Sequence, residues 1–384
     1  MLTSWNYPTP IRFGTGAIEE LPSACRELGM NNPLLVTDSV LAGLEITSKT
    51  LDIMSKSGLS CEMFSDIQPN PVGADVDRGV KILRAGGHDG VIAFGGGAAL
   101  DVGKAIALMA HQTRPLWDFE DIGDYWTRVN ESAMVPCVAV PTTSGTGSEV
   151  GRCSVIVHEE ECRKAIIFHP KILPPKVIAD PALTLGLPPK ITAAVGMDAL
   201  SHNLEAFCAP GYHPQADGIA LEGMRLIHRS LIRAVQDGAD IHARADMMAA
   251  SLMGATSFQK GLGAMHAMSH PLGAHLKIHH GLANAIVMPY VLDRNRELID
   301  DRMTALARYL DLNGTGTAAI LTWVLELRST LNIPHTLKEV GFQEEHCSLL
   351  AVDSVKDPTA GTNPIILSEQ DYQQLFHRAL HGIL

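Results

Sequence analysis

The chain has 384 residues, of which 46% are apolar and 19% are charged, and its formal net charge at pH 7 is −12. This length predicts two domains of ordinary size, and no stretch reaches the roughly 18 uninterrupted apolar residues of a membrane span. We do not expect nucleic acid or an anionic membrane surface as a partner, because the chain is acidic and has no run of Lys and Arg.

The cysteines also limit the class of protein. Seven cysteines are scattered along the chain without a CxxC pair. This pattern is typical of reduced thiols rather than of a disulfide framework or a zinc ribbon.

The first residues, "MLTSWNYPTPIRFGTG", lack the basic head and apolar run of a signal peptide. We therefore expect a cytoplasmic protein.

Short apolar runs alternate with helical segments up to about residue 180. Three of these runs are typical of buried strands, and each ends in Asp, Gly or Thr: "NPLLVTD" (32–38), "DGVIAFGGG" (89–97) and "VPCVAVPTT" (135–143). Their order predicts an α/β domain with a parallel sheet, whose ligand loops lie at the carboxyl ends of the strands. We expect residues 1–183 to bind a dinucleotide.

The pattern changes after the proline-containing stretch "VIADPALTLGLPPKITAAVG" (177–196). Long helical patterns follow, such as "ITAAVGMDALSHNLEAF" and "TGTAAILTWVLELRSTL", and strand signals nearly vanish. This change places a domain boundary near residue 183. We predict an all-α domain over residues 184–384.

A glycine turn lies in "VIAFGGGAALDVGK", where a predicted strand leads through Gly95, Gly96 and Gly97 into a helix. Backbone N–H groups and the positive end of the helix could bind a pyrophosphate there, although such glycines can equally form a tight turn. Leu100 stands where the GxGxxG motif has its third glycine, so this is not a Rossmann fingerprint.

A second polar loop, "PTTSGTGSEV" (141–150), follows the next predicted strand. Its hydroxyls and amides could hold a phosphate or a ribose, or the segment could be an ordinary capped turn. Asp38 ends an earlier strand. It could accept a hydrogen bond from a ribose 2′-hydroxyl and so select NAD over NADP, or it could simply cap a helix. Two loops on strand ends together favour nucleotide binding.

Histidines and one aspartate have the spacing of metal ligands. Asp198 and His202 lie four residues apart on a predicted helix, so both side chains leave the same face. His266 and His270 repeat this spacing in "MHAMSHPLGAHLKIHHG", which holds five histidines. A carboxylate and several imidazoles from two helices could bind a divalent metal such as Fe(II) or Zn(II). One such pair is usually incidental, but two pairs and the "HHG" that follows favour a metal site.

Four of these segments together resemble the iron-containing (group III) alcohol dehydrogenases: "GMDALSHNLEAF", "MHAMSHPLGAHLKIHHGLANAIVMPY", "FGGGAALDVGK" and "PTTSGTGSEV". The likeness extends over nearly the whole chain, from "PIRFGTGAIEELP" to "TNPIILSEQD". It implies the architecture that this family shares with dehydroquinate synthase. An N-terminal α/β domain would bind the dinucleotide, and a C-terminal helical domain would hold one catalytic metal in the cleft.

The resemblance implies four metal ligands, with a position left open for the substrate oxygen: Asp198, His202, His266 and His280. His270 would face the nicotinamide and the substrate and act as a proton relay. His275 and His279 match no functional position of the family, and we interpret them as structural or solvent-facing. Spacing alone does not separate His279 from His280 as a ligand.

The resemblance also assigns residues to the dinucleotide, namely Asp38, Gly95, Gly96, Gly97, Asp101, Thr142, Thr143, Thr146 and Lys164. Three positions depart from the family pattern: Ala98 replaces a usual Ser, Gly151 a common Thr, and His279 a usual Pro. The first two alter the expected contacts with the cofactor, and the third lies at the substrate cleft. None of them removes a predicted ligand or a loop glycine.

The implied function is that of a metal-dependent NAD(H) alcohol dehydrogenase or aldehyde reductase. Hydride would move between C4 of the nicotinamide and a small alcohol or aldehyde held by the metal. We expect Fe(II), with Zn(II) as the alternative, and a homodimer or larger homo-oligomer. Alternative functions are a same-fold zinc enzyme such as a glycerol dehydrogenase, a dehydroquinate-synthase-like lyase, and a non-catalytic assembly protein. The identity of the alcohol and the working direction stay open.

Overall fold

The computed structural model describes residues 5–7, 9–161 and 163–384. The chain divides into two compact units. We call them the α/β unit, formed by Pro8–Thr143 and Gly147–Gly186, and the helical unit, formed by Ser144–Thr146 and Leu187–Leu384 with the N-terminal segment up to Tyr7. The boundary expected near residue 183 falls in a short 3-10 helix, Pro181–Thr184.

A parallel sheet forms the centre of the α/β unit. Its strands are β1 (Ile11–Phe13), β2 (Pro33–Val36), β3 (Glu62–Phe64), β4 (Gly90–Gly95), β5 (Cys137–Pro141) and β8 (Lys176–Ala179). Their order across the sheet is β1-β8-β5-β4-β2-β3, and each neighbouring pair is parallel. The predicted parallel α/β fold is confirmed, and the three predicted strands correspond to β2, β4 and β5.

The sequence pattern did not predict an antiparallel pair of strands in the same unit. The two strands are β6 (Cys153–His158) and β7 (Arg163–Phe168), and they form a separate sheet. The helices of the unit are α1 (Leu21–Glu27), α2 (Ser39–Ala42), α3 (Glu45–Lys56), α4 (Gly73–Ala85) and α5 (Gly97–Met109).

Burial explains why the central strands are continuous apolar runs. Every residue of β2, β4 and β5 is buried, as expected of strands that are covered on both faces. Helix α5 packs closely on β4. A Cβ added at Gly103 of α5 would lie 2.5 Å from the Cβ of Ala93. The glycine therefore permits the close contact between the middle of α5 and the middle of β4.

The helical unit has one extensive apolar core. Its helices are α6 (Pro189–Cys208), α7 (Pro214–Gln236), α8 (Ile241–Ser257), α9 (Ala264–Leu276), α10 (His280–Tyr309), α11 (Gly316–Thr330), α12 (His346–Lys356) and α13 (Glu369–His381). Helix α6 is buried from Thr192 to Cys208 and packs against α7, α8 and α10. None of the described helices is long and apolar enough to cross a membrane. The predicted helical character of this part of the chain is confirmed.

The packing of α5 on β4 gives a testable prediction. Gly103→Ala should lower the thermal midpoint by at least about 3 °C, because the added methyl group would overlap Ala93 in a core that cannot expand. Gly218→Ala on α7 is the matched control, since a Cβ there meets nothing within 4 Å and replaces a helical glycine. The control should be neutral or slightly stabilising. Equal midpoints for the two variants in a thermal melt would contradict this packing.

Candidate metal centre

Helix α6 carries the first two side chains of the centre. Asp198 and His202 lie one helical turn apart on it, and both are buried. The imidazole of His202 stacks on that of His266, with ring centroids 4.6 Å apart. Buried acidic and imidazole side chains are unusual unless each has a polar partner, so their neighbours indicate what these side chains do.

Helices α9 and α10 supply the other histidines of the centre. His266 is buried in the first turn of α9. The helix ends at Leu276. Lys277 takes a left-handed conformation (φ 56°), and its backbone N–H donates a hydrogen bond to the Leu272 carbonyl. The chain thereby reverses within a few residues, and α10 begins at His280.

The structure brings the four predicted ligands together. One potential ligand atom from each of Asp198, His202, His266 and His280 lies within 4.8 Å of the others. Nε2 of His280 is 3.5 Å from Oδ1 of Asp198. His279 precedes the first turn of α10 and is not part of this group. The fold therefore separates two adjacent histidines that their spacing could not.

Two hydrogen bonds determine which ring nitrogen of His202 and His266 carries the proton. Nδ1 of His202 lies 3.3 Å from the Gly145 carbonyl oxygen, which can only accept, so Nδ1 is the donor. Nδ1 of His266 lies 2.6 Å from the Glu205 carboxylate. In both neutral rings the lone pair is then on Nε2, which is the atom left for a metal.

The ring of His280 is oriented through a hydroxyl. Ser269 donates its proton to the His266 carbonyl, with a distance of 3.2 Å, and its oxygen lies 3.3 Å from Nδ1 of His280. The Ser269 oxygen therefore accepts from Nδ1, and Nε2 of His280 also keeps its lone pair. In all three histidines Nδ1 has a protein partner and Nε2 keeps its lone pair, and Nε2 of both His266 and His280 lies 3.3 Å from the Asn284 amide nitrogen.

The amide of Asn284, one turn after His280, lies among the potential ligand atoms of Asp198, His266 and His280, and its contacts indicate whether these atoms suit a cation. Its amide nitrogen donates to Oδ1 of Asp198 at 2.9 Å and lies 3.3 Å from Nε2 of both His266 and His280. A donor in this position shows that three lone-pair atoms converge there. The amide oxygen is buried and has no partner among the described residues. Imidazole nitrogens and a carboxylate oxygen around one point fit a divalent metal such as Fe(II) or Zn(II).

Burial and neighbouring charge shift the pKa values of two of these histidines in opposite directions. Burial lowers the pKa of His202 to about 4, so the ring is neutral at neutral pH. Burial also opposes the charged form of His266. The carboxylates of Glu205, Asp198 and Asp357 outweigh that effect and raise the pKa of His266 above its ordinary value. A proton therefore competes with a metal more effectively at His266 than at His202.

His270 lies one turn after His266 and has its own carboxylate partner. Its Nδ1 donates to Oδ2 of Asp357 at 2.7 Å, and its ring stacks on that of His280 with centroids 5.4 Å apart. Burial of Asp357 would raise its pKa, but the adjacent His270 lowers it below the ordinary value. The carboxylate is therefore ionised and fixes the orientation of the His270 ring through Nδ1.

His275 has a structural contact instead. Its Nε2 lies 2.8 Å from Oδ2 of Asp353, so it links α9 to α12. This agrees with its interpretation as a structural residue.

Sequence reasoning missed several residues that orient the centre, among them Glu205, Asn284 and Asp357. A signal existed for the first two. Glu205 is seven residues after Asp198, and Asn284 is four after His280, so each shares a helix face with a predicted ligand. Asp357 follows α12 and reaches His270 across 87 positions of sequence. No local pattern could have predicted that contact.

The predicted glycine turn lies at the carboxyl end of β4 in the α/β unit. Gly95 has φ +150°, and a Cβ there would lie 2.7 Å from the Cβ of Ala99. A Cβ at Gly96 would lie 3.3 Å from the Thr143 methyl group, so the glycine turn and the polar loop 141–150 are neighbours. Gly97 begins α5, and no described side chain caps its first turn. Open N–H groups at a helix N-terminus are suited to a phosphate.

Two predicted cofactor residues have protein partners. Oδ1 of Asp38 accepts from the N–H groups of Val40 and Leu41, each at 2.9 Å, and so caps α2. Asp101 accepts from the Ser148 hydroxyl at 2.5 Å and lies 3.4 Å from Nζ of Lys104. Both carboxylates therefore have a structural role, whatever else they bind.

Three further residues were predicted to bind the cofactor: Thr142, Lys164 and Thr146. Thr142 donates its N–H to the Gly95 carbonyl at 3.0 Å, and its buried hydroxyl has no partner within the part of the chain that the structure describes. Lys164 lies on β7, opposite Val157 of β6. Thr146 belongs to the helical unit.

Sequence reasoning also missed Lys104, a buried residue of α5. Its Nζ donates to the Ser148 carbonyl at 2.9 Å and also to the Cys153 carbonyl. Lys104 therefore fixes the end of the polar loop 141–150 and the first residue of β6.

The fold and the two sets of residues define a class of protein. A parallel sheet with a glycine turn at a helix N-terminus is typical of dinucleotide enzymes, and the cluster of imidazoles and a carboxylate is typical of a divalent metal site. Residues 8–181 match the family described as iron-containing alcohol dehydrogenase, and residues 192–380 match the C-terminal part of the Fe-containing alcohol dehydrogenase family. The chain belongs to the iron-containing alcohol dehydrogenase family.

Individual relatives agree with the family match. The chain is 38% identical to a 4-hydroxybutyrate dehydrogenase of Cupriavidus necator over 385 residues, which cover 97% of this chain and 99% of the relative. It is 33% identical to an NAD-dependent methanol dehydrogenase of Bacillus methanolicus over 386 residues, with 99% and 100% covered. A crystal structure of 1,3-propanediol oxidoreductase matches with a TM-score of 0.94 at 33% identity, with 99% and 100% covered.

The comparisons decide between the functions that the sequence left open. The predicted family, fold class and reaction class are confirmed, and the chain is an oxidoreductase that acts on CH–OH groups. The zinc-enzyme and lyase alternatives are not favoured. Members of this family bind NAD(H) and a metal.

The low pKa of His202 predicts how the metal-free protein responds to acid. The unfolded chain protonates this imidazole near its ordinary pKa of about 6.5, whereas the folded chain resists protonation until about pH 4. The free energy of unfolding should therefore fall by up to about 3 kcal/mol as the pH is lowered through this window. His266 opposes the fall only near and above its ordinary pKa of about 6.5, because its raised pKa lets the folded chain bind a proton there before the unfolded chain does; below that pH it adds little slope.

Urea unfolding of chelator-treated protein at a series of pH values between about 7 and 4.5 would measure this slope. His202→Asn should reduce it, and His242→Asn, at an exposed position on α8, should retain it. A wild-type slope in His202→Asn would contradict the assignment of the buried neutral ring.

Proposed function

We propose that Asp198, His202, His266 and His280 hold one catalytic Fe(II) ion, with Zn(II) as the alternative, and that the enzyme interconverts a small alcohol and its aldehyde with NAD(H). The observation that carries this proposal is the common orientation of the three histidines. In each, Nδ1 has a protein acceptor and Nε2 keeps its lone pair, and one potential ligand atom of each lies within 4.8 Å of that of Asp198. Four protein ligands leave room for a further ligand on such a metal.

We propose further that residues 1–183 bind the dinucleotide and that residues 184–384 bind the metal. The dinucleotide residues would be those of the two loops and their neighbours: Asp38, Gly95, Gly96, Gly97, Asp101, Thr142, Thr143, Thr146 and Lys164. The uncapped start of α5 supports a phosphate position. Both backbone bonds to Asp38 use Oδ1, so Oδ2 is left to accept from a ribose hydroxyl and to repel a 2′-phosphate.

The bound metal would supply Lewis acidity at the substrate oxygen, and the nicotinamide would accept or donate the hydride. The protein would hold the metal ligands without rearrangement. Glu205 fixes His266, the Gly145 carbonyl fixes His202, and burial keeps both rings away from water. Orientation of this kind lowers the barrier because the geometry is set before the reaction.

His270 would move the proton. During alcohol oxidation the hydroxyl proton would pass to Nε2 of His270 while Nδ1 keeps its hydrogen bond to Asp357. The side chain of His270 is 11% exposed, and the proton would pass from it to solvent. Aldehyde reduction would use the same proton in the opposite direction.

Cytoplasmic location and a homo-oligomeric state are also part of this proposal. No disulfide joins the described cysteines, and burial raises the pKa of Cys25, Cys61 and Cys137 to about 12. Such protonated thiols are suited to a reducing compartment. Cys162 lies outside the described residues. A homodimer or larger assembly is proposed from the resemblance to the family.

Metal reconstitution tests the proposed function. Chelator-treated enzyme would be assayed anaerobically by NADH absorbance with Fe(II), Zn(II) or no added metal. The panel would include methanol, 1,3-propanediol, 4-hydroxybutyrate and their aldehydes. We expect activity only after a metal is restored. Turnover in the absence of added metal would contradict the proposal. So would the absence of turnover with every metal and every substrate, if the protein still binds NADH.

The ligand assignment is tested in the same assay by His266→Ala. The variant should lose both bound metal and activity, because the site would keep only three of its four ligands. His275→Ala on the same helix is the control and should retain both, since its partner is Asp353. A His266→Ala variant that keeps its metal and full activity would show that the ligand set is wrong.

The proton-relay role of His270 gives a separate prediction. His270→Gln should lower kcat by about 100-fold or more while the bound metal per chain stays at the wild-type value. The pH dependence of kcat should also change, because the proton no longer passes through an imidazole at this position. Metal analysis and a pH–rate profile of the same preparation would measure both effects. Loss of the metal in this variant would instead make His270 part of the metal centre.

A further inference from the structure

A second cluster of metal-binding side chains lies on the surface of the helical unit. His377 and His381 are four residues apart on α13, in the sequence "HRALH", so they share a helix face. Glu344 lies just before α12 and faces them both. None of the three belongs to the candidate metal centre, and the family resemblance assigns no role to any of them.

The distances within this cluster suit coordination of a small cation. Nε2 of His377 is 3.7 Å from Oε1 of Glu344, and Nε2 of His381 is 3.1 Å from Oε2. The two rings have centroids 4.5 Å apart, and one ligand atom from each residue lies within 4.8 Å of the others. Ligands of tetrahedral zinc are about 3.3 Å from one another when each lies about 2.05 Å from the metal. Small side-chain rotations would therefore bring the three atoms onto one ion.

The electrostatic environment also favours a cation. One carboxylate faces two imidazoles, and each of the three groups can offer a lone pair. A divalent cation can bind all three groups at once. His381 is the last residue of α13, where the negative end of the helix dipole attracts positive charge. The nearest guanidinium on the helix, that of Arg378, is paired with Asp293 at 2.7 Å.

Exposure makes the cluster accessible to ions in solution. The side chains of His377, His381 and Glu344 are 48%, 46% and 63% exposed. Little desolvation is needed to form the site, and water can occupy the remaining coordination position. An ion here would join the last turn of α13 to the segment before α12. The helices α12 and α13 also pack against each other.

We propose that Glu344, His377 and His381 form a second, surface site for a divalent ion of the Zn(II) class, distinct from the catalytic metal. The ion stabilises the folded chain by fastening the end of α13 to the start of α12. Because only the folded chain holds the three ligands together, the ion binds the folded form more tightly than the unfolded chain and raises the thermal midpoint as its concentration rises.

Zinc stoichiometry tests this proposal. The full-length enzyme would be equilibrated with excess Zn(II), freed of unbound ion, and its total bound metal counted by elemental analysis. Wild type should retain one metal equivalent per chain more than the double variant His377→Ala/His381→Ala. The double variant His111→Ala/His242→Ala removes two exposed histidines that lie outside both clusters, and it should retain the wild-type count.

Thermal melts and a milder variant make the test independent of folding defects. Zn(II) should raise the midpoint of wild type by about 2 to 4 °C more than that of the His377/His381 double variant. Glu344→Gln keeps the size of the side chain and should weaken Zn(II) binding at this site at least about tenfold, as measured by calorimetry. Equal metal counts and equal zinc-induced shifts in wild type and double variant would overturn the proposal. Unchanged zinc affinity in Glu344→Gln would overturn it as well. Neither readout depends on enzymatic activity.

Discussion

The buried hydrogen bond between Glu205 and His266 is the interaction on which the candidate metal centre depends. One carboxylate oxygen accepts from Nδ1 of His266 at 2.6 Å, and the other accepts from the Met265 N–H at the same distance. The carboxylate on α6 thus holds the first turn of α9 and also fixes the tautomer of the ring. A buried carboxylate without these two partners would be strongly destabilising, so the geometry of the ring and the stability of the helix pair are set together.

Close helix packing completes the arrangement. A Cβ at Gly281 would lie 2.3 Å from the Ala194 carbonyl oxygen and 2.9 Å from the Cβ of Asp198, so only glycine lets the start of α10 approach α6 this closely. That approach brings His280 beside Asp198. Gly145 is similarly constrained, because a Cβ there would lie 2.8 Å from Val195, and its carbonyl accepts from His202. The centre is therefore formed by backbone proximity as much as by the ligands themselves.

Local periodicity predicted those parts of the fold and site that lie within single helices or strands. The spacing of Asp198 and His202 placed them on one helix face, and apolar runs identified the buried strands β2, β4 and β5. Residues that act across long sequence separations were missed, as with Asp357, whose contact with His270 exists only after α9 and α12 have packed. The choice of His280 over His279 likewise depends on where α10 begins, which follows from the left-handed turn at Lys277 and not from spacing. The hairpin of β6 and β7 lies outside the main sheet, and its alternation of buried and half-buried residues is a weaker signal than a fully buried run.

The most direct test of this account is anomalous X-ray diffraction from crystals of the enzyme loaded with one equivalent of Fe(II). The account predicts a single strong anomalous peak in contact with Nε2 of His202, His266 and His280 and with the Asp198 carboxylate. Glu205 should still be hydrogen-bonded to Nδ1 of His266. A peak bound through Nδ1, or one located away from these four side chains, would contradict it.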